Sequence, residues 1–577
     1  MRNAEVAQLL SRIADLLEIK NESPYRIRAY REAARQIESY PEDVADLHRE
    51  GRLEEIPGVG TSIAAKIAEY LETGKLAYYD QLRQEIGGSA AEWLQVPSIG
   101  PVRARPIYEH LGIDTLPELE VAARQHRLCK LPGIGEKTEE RILRELGRLQ
   151  QRTRRLLLGV ALPAAERVVQ LLRNHPAIQR IEPAGSIRRM RETIGDIDIL
   201  VASEQPDAAV RAFTTLPIVK EVLASGPTRA SILTEENLQI DLRVVHPDYW
   251  GSALQYFTGS KAHNIALRDI AIQHGQKLNE YGLFDERTGK WIAGRTEEEI
   301  YHALGMDWIP PELRENRGEI EAAQQHRLPH LVTLEDIRGN LHTHTKWSDG
   351  TDTLEAMVEA AIALGWEYLA ITDHSAGLGV AGGLSVEEVD EQRQVIEALN
   401  RRYRPFTILH GTEVNIRSDG TLDYPDEVLA RFDFVIAAIH SGFRQSSEQL
   451  TRRAVLALRH PLVDAFAHPT GRRIGEREGY AIDLETVLRV AAETGTALEI
   501  NGQADRLDLD DIWARRAKEM GVTLVLNADA HATWQLRQNV RFAVAVARRA
   551  WLEPHNVLNT LSLADLRQRR KVRARAA

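Results

Sequence analysis

Two groups of residues in this chain have the types and spacing to do chemistry. The first begins in GDIDILV (195–201), where one apolar residue separates Asp196 from Asp198. On an extended strand both carboxylates face one way, roughly 7 Å apart at Cα, while Ile197, Ile199 and Val201 face the other. Like charges held so raise each other's pKa unless a cation joins them. A third carboxylate, Asp241 in LQIDLRVV (238–245), shares its alternation with Gln239 and Arg243. Three carboxylates meeting on adjacent strands offer hard oxygen ligands suited to Mg²⁺ or Mn²⁺. Two such ions about 4 Å apart activate one oxygen and stabilise another during phosphoryl displacement. Ten residues upstream, Gly185 and Ser186 suit a turn that cradles phosphate, with Arg188 and Arg189 beside it.

The second group lies in the C-terminal half. It comprises His342, His344 and Asp349 in LHTHTKWSDG, His374 in ITDHS, Glu413 in GTEVN, His440 in AAIHSG, His468 in AFAHPTG, and Asp529 and His531 in NADAH. Most follow a short apolar run at its carboxyl end, where β/α barrels place their chemistry. A lone histidine there is most often structural. Nine such residues repeating at strand ends read as metal ligands. His410 and His460 fall outside the pattern and read as structural.

The elements that position these residues follow from periodicity. From about residue 335, the strands YLAIT, FTILH, FDFVIAAI, VDAFA, TALEI and VTLVLN alternate with helices of ten to eighteen residues. That alternation predicts a parallel, barrel-like β/α domain. From about 152 the chain is mixed α/β, with strands expected in 185–201 and 238–245, and a smaller region spans about 251–320. Residues 321–334 have little periodicity and contain Pro329, which reads as a linker. The first 150 residues repeat one pattern three times: IPGVGTSIAAKIAEYL (56–71), VPSIGPVRARPIYEHLGI (96–113) and LPGIGEKTEERILREL (131–146). Each is an apolar residue, a tight turn, a second glycine and an amphipathic helix. Such turns present free amides at a helix start, where phosphate binds without regard to base sequence. This helix-hairpin-helix pattern assigns Gly58, Gly60, Gly100, Gly133 and Gly135 to DNA-backbone contact. The resulting division is 1–85, 86–150, 151–250, 251–320, the linker 321–334, and 335–577.

At 577 residues the chain is too long for one core. No apolar run approaches the ~20 residues that cross a bilayer, and MRNAEVAQLLSRIADLLEIK lacks the apolar stretch of a signal peptide. One cysteine, Cys129, excludes an internal disulfide framework and fits the cytoplasm. A net charge of −11 argues against coating nucleic acid by bulk electrostatics, though not against local phosphate contacts. The basic tail RQRRKVRARAA reads as a solvated end.

The Gly-Ser, Asp-x-Asp and distant Asp together resemble the nucleotidyltransferase superfamily, which spans templated polymerases, poly(A)-adding and antibiotic-modifying enzymes. LQYFTGSKAHNIALRDIAIQHGQKLNEYGLF (254–284) is similar to the thumb entry of family X DNA polymerases, the group that includes DNA polymerase beta. With the hairpins, this resemblance covers about residues 1–320. It implies that Asp196 and Asp198 bind both metals and that Asp241 binds the catalytic one. It further implies that Ser186 and Arg189 hold the triphosphate, that Tyr256, Phe257 and Gly259 shape the sugar pocket, and that Asn264 reaches the base and Arg268 the template. Lys261 stands where polymerase beta is acidic, and a base or phosphate contact is its expected role. In polymerase beta the first hairpin region also carries a 5′-deoxyribose phosphate lyase. Lys66 aligns with its Schiff-base nucleophile and Lys75 is retained, whereas Ser62 and Tyr78 replace lysines.

The order HxH…D…H…E…H…H…DxH resembles the polymerase and histidinol phosphatase (PHP) domain, with every position filled. The resemblance implies three Zn²⁺ or Mn²⁺ ions. His342, His344, Glu413 and Asp529 would hold one; Glu413, His440 and His468 the second; Asp349, His374 and His531 the third. It implies a 3′–5′ exonuclease, with abasic-site cleavage or 3′-phosphate removal as further options. The expected fold is multidomain α+β and α/β: helical hairpin domains, a nucleotidyltransferase palm and thumb, and a distorted β/α barrel. The expected protein is a cytoplasmic monomer that fills short gaps in DNA repair, using gapped or nicked duplex and deoxynucleoside triphosphates. Two alternatives stay open: a phosphoesterase for small monoesters with an inactive polymerase half, and a DNA-binding scaffold without catalysis.

Overall fold

A computed structural model describes residues 3–20, 22–39, 44–56, 58–85, 93, 99–111, 113, 115–153, 155–377 and 381–576. The chain forms two compact units, Met1–Arg155 and Leu156–Ala577. No helix among the described residues is long and apolar enough to cross a membrane.

The first unit is helical. Helix Asn3–Ile19 buries Val6, Leu10, Ile13 and Leu17 at three- and four-residue spacing, against Tyr30, Ala33 and Ile37 of Pro24–Ser39. The second glycine of each hairpin opens a helix: Gly60 before Thr61–Thr73, Gly100 before Pro101–Leu111, and Gly135 before Glu136–Thr153. Residues 96–98 and 112 of the second repeat, and the expected boundary at 85/86 on its C-terminal side, lie outside the described residues.

The second unit begins with a five-stranded sheet in the order Arg180–Pro183, Ile197–Ala202, Gln239–Val245, Arg229–Thr234, Val219–Ser225. Its strand Ile197–Ala202 is shorter than the strand expected over 185–201. Gly185 takes φ +62° and Gly185–Arg188 coils into a helical turn, so pairing resumes only at Thr193–Ile194. Ile197, Ile199 and Val201 are buried in the core that includes helices Leu158–Leu172 and Pro206–Thr214. On the opposite face Asp198 stays open, but Leu200 and Ala202 are covered by Trp250, Ala253 and Leu254 of helix Trp250–Thr258. A three-stranded antiparallel sheet and helices Lys261–Gln273 and Glu297–Ala303 complete this region.

One buried carboxylate fixes the palm turn to the thumb. Glu297 accepts two hydrogen bonds from Arg188 (2.8 and 2.9 Å), one from Arg314 (2.6 Å) and one from Trp308 Nε1 (3.2 Å). Burial opposes its charge, yet Arg314 and Arg188 hold its pKa down at about 2. Residues 321–334 are not a loose tether: helix Glu319–Gln324 runs into them, and buried Val332 donates to the carbonyl of Leu552 (2.9 Å).

Seven parallel strands follow in sequential order: Gly339–Asn340, Tyr368–Ile371, Thr407–Asn415, Phe434–Ala438, Ala465–Phe466, Ala497–Asn501 and Leu524–Asn527. Past the strand ends, His344 N–H donates to the Ala530 carbonyl (2.9 Å), which brings first and last together as a nearly closed barrel. The fold class matches expectation, with two differences. Gly339–Asn340 has residues depleted in strands and was not anticipated, and the third strand runs on through Glu413. The barrel is tied to the palm and thumb by Arg549, which donates to Glu315 (3.2 Å), Asp511 (2.7 Å) and the Arg189 carbonyl (3.0 Å).

Glu297→Gln leaves two guanidinium groups short of their counter-charge, and the expected loss is about 3–5 kcal/mol in urea unfolding. Since the Glu297 pKa falls from 4.5 to about 2 on folding, its contribution is present above pH 4.5 and disappears as pH drops toward 2. The variant should therefore lack that part of the acid-side decline. An unchanged midpoint at pH 7 would contradict the assignment.

Candidate functional site

In the palm, register brings the carboxylates together. Asp198 and Asp241 are Cα partners on parallel strands, and Asp196 precedes the same strand by one residue. Burial, then Asp196 and Asp241, push the Asp198 carboxyl up to about 6. A Cβ on Gly185 would stand 2.6 Å from Asp198 Oδ2, so only glycine lets the Gly185–Ser186 turn approach so closely. Two residues that sequence reasoning missed orient Asp241: Ser231, its neighbour across the sheet, donates through Oγ, and Gln239 donates through Nε2 (3.1 Å). Gln239 was visible as a same-face neighbour, whereas nothing local marks Ser231. A cavity of about 470 Å³ is lined by Asp198, Asp241, Arg229, Arg243 and Phe257. Arg243, named in the sequence only as a same-face neighbour of Asp241, lies 4.5 Å over the Phe257 ring and lowers the charge repulsion at Asp198.

The other nucleotide-contact candidates continue from Phe257. Tyr256 packs edge-on against it at 5.2 Å, and Asn264 donates to the Tyr256 carbonyl (2.7 Å) while accepting from Gln255 (2.8 Å). Gly259 takes φ +68° and lies beside Arg189. Arg189 Nε donates to Glu315 (3.0 Å) and its Nη1 to the Thr258 carbonyl, leaving only part of its fork for another partner. Lys261 and Arg268 are exposed on the following helix.

The nine C-terminal residues converge. Buried Glu413 lies within 3.4 Å of five histidines: His342 (3.3 Å), His344 (3.4 Å), His374 (3.1 Å), His440 (3.2 Å) and His468 (2.9 Å). Asp529 stands 3.3 Å from His344, and Asp349 lies 3.5 Å from His374 and 3.3 Å from His531. Within this cluster, donor atoms close enough to share an ion occur in three sets: His342/His344/Asp529, His374/Glu413/His440, and His344/Asp349/His374/His531. Buried Nδ1 atoms of His344, His440 and His468 have no hydrogen-bond partner. Nitrogen donors and carboxylates in this arrangement fit divalent metal ions. His344 and His374 each belong to two sets, so the groups are less separate than the sequence suggested. His410 bonds to Gln392 (3.1 Å) and His460 to Asp426 (3.2 Å), both away from the cluster.

Charge alternates through this centre. Burial opposes ionisation of Glu413, yet His440, His342 and His374 hold its pKa well below the usual range. Burial likewise opposes protonation of His342, but Glu499, Asp529 and Glu413 hold it well above. His344, buried beside His374 and His531, falls to about 3. Glu499 was missed although it is the one carboxylate in the apolar strand TALEIN. It bonds to His342 Nδ1 (2.7 Å), which orients that ring, and accepts from the backbone N–H of His468 (2.8 Å), which fixes the chain there.

In the first unit, an added Cβ would meet nothing within 4 Å at Gly60, Gly100 or Gly135. Internal packing does not require glycine there, and what glycine permits is close approach by another chain. Lys66 Nζ donates to Ser62 Oγ (3.0 Å) and lies 4.9 Å from the centre of the Tyr78 ring. Burial, then the charge of Arg26, lower its pKa.

Family models match four segments: a helix-hairpin-helix domain over 1–76, a tandem of the same motif over 91–148, the DNA polymerase beta thumb over 253–315, and the PHP domain over 340–503. These define a family X polymerase architecture joined to a PHP domain. The chain is 38% identical to the DNA polymerase/3′-5′ exonuclease PolX of Bacillus subtilis (strain 168), over 98% of its own length and 99% of the relative's. It therefore belongs to the PolX group of family X DNA polymerases. Its C-terminal part is also 32% identical to a probable phosphatase of Thermoanaerobacter sp. (strain X514), over 38% of this chain and 89% of the relative. A probable phosphatase of Acetivibrio thermocellus is 33% identical over 34% of this chain and 80% of its own.

The raised Asp198 value fixes a sign. Folding takes up a proton between pH 3.8 and about 6, so the metal-free protein loses stability as pH rises through that window. In chelator, Asp198→Asn should raise the unfolding free energy more at pH 8 than at pH 4, by up to roughly 3 kcal/mol. An equal gain at both pH values would be inconsistent with carboxylate repulsion.

Proposed function

We propose that this chain extends DNA 3′ ends at Asp196, Asp198 and Asp241 and removes nucleotides from such ends at the histidine cluster. The observation that carries this reading is that both donor sets are complete on one chain. The alternatives of an inactive polymerase half and of a scaffold each require one set to be broken. The name of the B. subtilis relative supports the pairing of activities.

In the palm, divalent cations supply neutralisation of phosphoryl oxygens and acidify the attacking hydroxyl. Asp196 and Asp198 would hold them, and Asp241, kept in place by Ser231 and Gln239, would receive the primer terminus. The Gly185–Ser186 turn and the free edge of Arg189 face the triphosphate. Tyr256, Phe257 and Gly259 bound the sugar, Asn264 and Lys261 serve the incoming nucleotide, and Arg268 serves the template. Divalent ions held in the PHP centre would supply a water acidic enough to attack phosphorus. His342, His344, Glu413 and Asp529, then His440 and His468, then Asp349, His374 and His531 are the holding groups. The hairpin glycines 58, 60, 100, 133 and 135 grip gapped or nicked duplex through its backbone, which directs the pair of activities to short gaps in repair. Relatives named as phosphatases favour removal of 3′-blocking phosphates as a second use of the same centre.

Lys66 is the lyase nucleophile in this reading. Arg26, absent from the local motif, supplies the nearby positive charge that replaced lysines would have given.

On gapped and 3′-recessed duplexes with Mg²⁺ or Mn²⁺, Asp198→Ala should lose extension at least roughly a hundredfold and keep degradation. His342→Ala should do the reverse. Survival of both activities in both variants would end the two-site reading. Borohydride should trap a 5′-deoxyribose phosphate adduct on wild type and not on Lys66→Ala, and no adduct on wild type would rule out the lyase.

A further inference from the structure

The cavity above the histidine cluster is larger than a phosphate needs, at about 1020 Å³. Such a volume is at the upper end for binding sites and accepts a short unpaired strand end. Beyond the cluster its lining includes Trp534, Arg473, Arg477 and Arg506. Trp534 sits in the first turn of helix Thr533–Arg549, three positions after His531, and is 63% exposed. Tryptophan is highly buried on average. Among the described residues no aromatic ring or guanidinium engages this indole, which leaves its face open at the mouth of a charged cavity.

The arginines differ in how they are spent. Arg473 pairs with Asp505 (3.5 Å). Arg477 donates twice to the Gly471 carbonyl (2.7 and 3.2 Å) and lies 4.5 Å over Phe443, which is stacked on Tyr480. Arg506 donates to Gln503 (3.1 Å). Among the described residues neither Arg477 nor Arg506 forms an ion pair; their hydrogen bonds go to neutral partners, and Glu476, which also lines the cavity, is the acidic group that acts on Arg477. That arrangement suits phosphate oxygens. A palm segment closes one side: Gly159 and Val160 line the cavity, and a Cβ on Gly159 would stand 2.3 Å from that of Ala504.

We propose that Trp534 stacks the 3′-terminal nucleobase of a single DNA strand while Arg477 and Arg506 hold its phosphates, so that this centre selects unpaired ends. Every base has a π-face, so an indole platform retains ends without reading sequence. The proposal rests on the exonuclease reading for its substrate, and the test separates the two.

The full-length protein is compared on single strands ending in a normal nucleotide or in an abasic one, with kcat and KM measured separately. Wild type should show a higher KM for the abasic end. Trp534→Ala should raise KM for the normal end about 5- to 150-fold with kcat retained and erase the difference between ends, and Trp534→Phe should restore it. Arg506→Gln should raise KM for both ends alike and flatten the salt dependence by about one phosphate. A second readout is independent of turnover. In chelator, 2-aminopurine at the 3′ terminus should be quenched on binding to wild type and to Trp534→Phe, and not to Trp534→Ala. If wild type degrades DNA and Trp534→Ala matches it in KM and quenching, the stacking site is overturned. If wild type degrades nothing yet quenching depends on Trp534, the exonuclease reading fails and the base site stands.

Discussion

A carboxylate shut away from water at the centre of five imidazoles is the constraint on which the C-terminal half is built. Glu413 is 1% exposed, and an ion so buried persists only with counter-charge close by, here from His342 and His374. Parallel strands meet that demand because they all end on one rim, so side chains at their carboxyl ends converge. Glu413 lies on the extended third strand, with His374 bridged beside it, His440 and His468 after the fourth and fifth, and Asp529 and His531 after the last. Glu499 answers the same demand one layer below, turning His342 toward the centre and holding the His468 backbone.

The palm solves the opposite problem. There the sheet register sets carboxylate beside carboxylate, and the nearest cation, Arg243, offsets only part of the repulsion. The C-terminal centre carries its own compensation in alternating imidazole and carboxylate, whereas the palm leaves its charge for an arriving cation to complete. One centre is balanced in advance and the other is poised. That difference fits a resident metal cluster on one side and ions that arrive with a nucleotide on the other.

Much of this was legible because metal and phosphate chemistry uses few residue types at characteristic spacings. The nine candidate ligands and three aspartates stood out for that reason; alternation paired Asp196 with Asp198, whereas the strand begins at Ile197 and it is the register that sets Asp198 beside Asp241. What stayed hidden depends on contacts between distant residues. Glu499 is a single carboxylate in an apolar strand, with no neighbour in sequence to mark it. Gly339–Asn340 is two residues of low strand propensity, paired only because the barrel needs a first strand beside the second. Arg26 reaches Lys66 through tertiary packing of separate helices. Arg189 looks like a free phosphate ligand locally, and only the folded chain shows Glu315 and Thr258 occupying part of its fork. The segment 321–334 lacks periodicity, yet Val332 is fully buried: irregular backbone can be as fixed as a helix when its neighbours satisfy its polar groups.

Arg549 is 5% exposed, with one branch of its guanidinium toward Glu315 and the other toward Asp511, and it also bonds to the Arg189 backbone. Its position has a bearing on inheritance and modularity. The two catalytic halves look separable on a sequence map, and stand-alone relatives of the C-terminal half exist. A gene divided before residue 335 nevertheless leaves Glu315, Glu312 and Val332 without the partners that Arg549, Arg548 and Leu552 provide. Synthesis and degradation are thereby welded into one folding unit, and the halves can diverge only by changes that keep the weld intact.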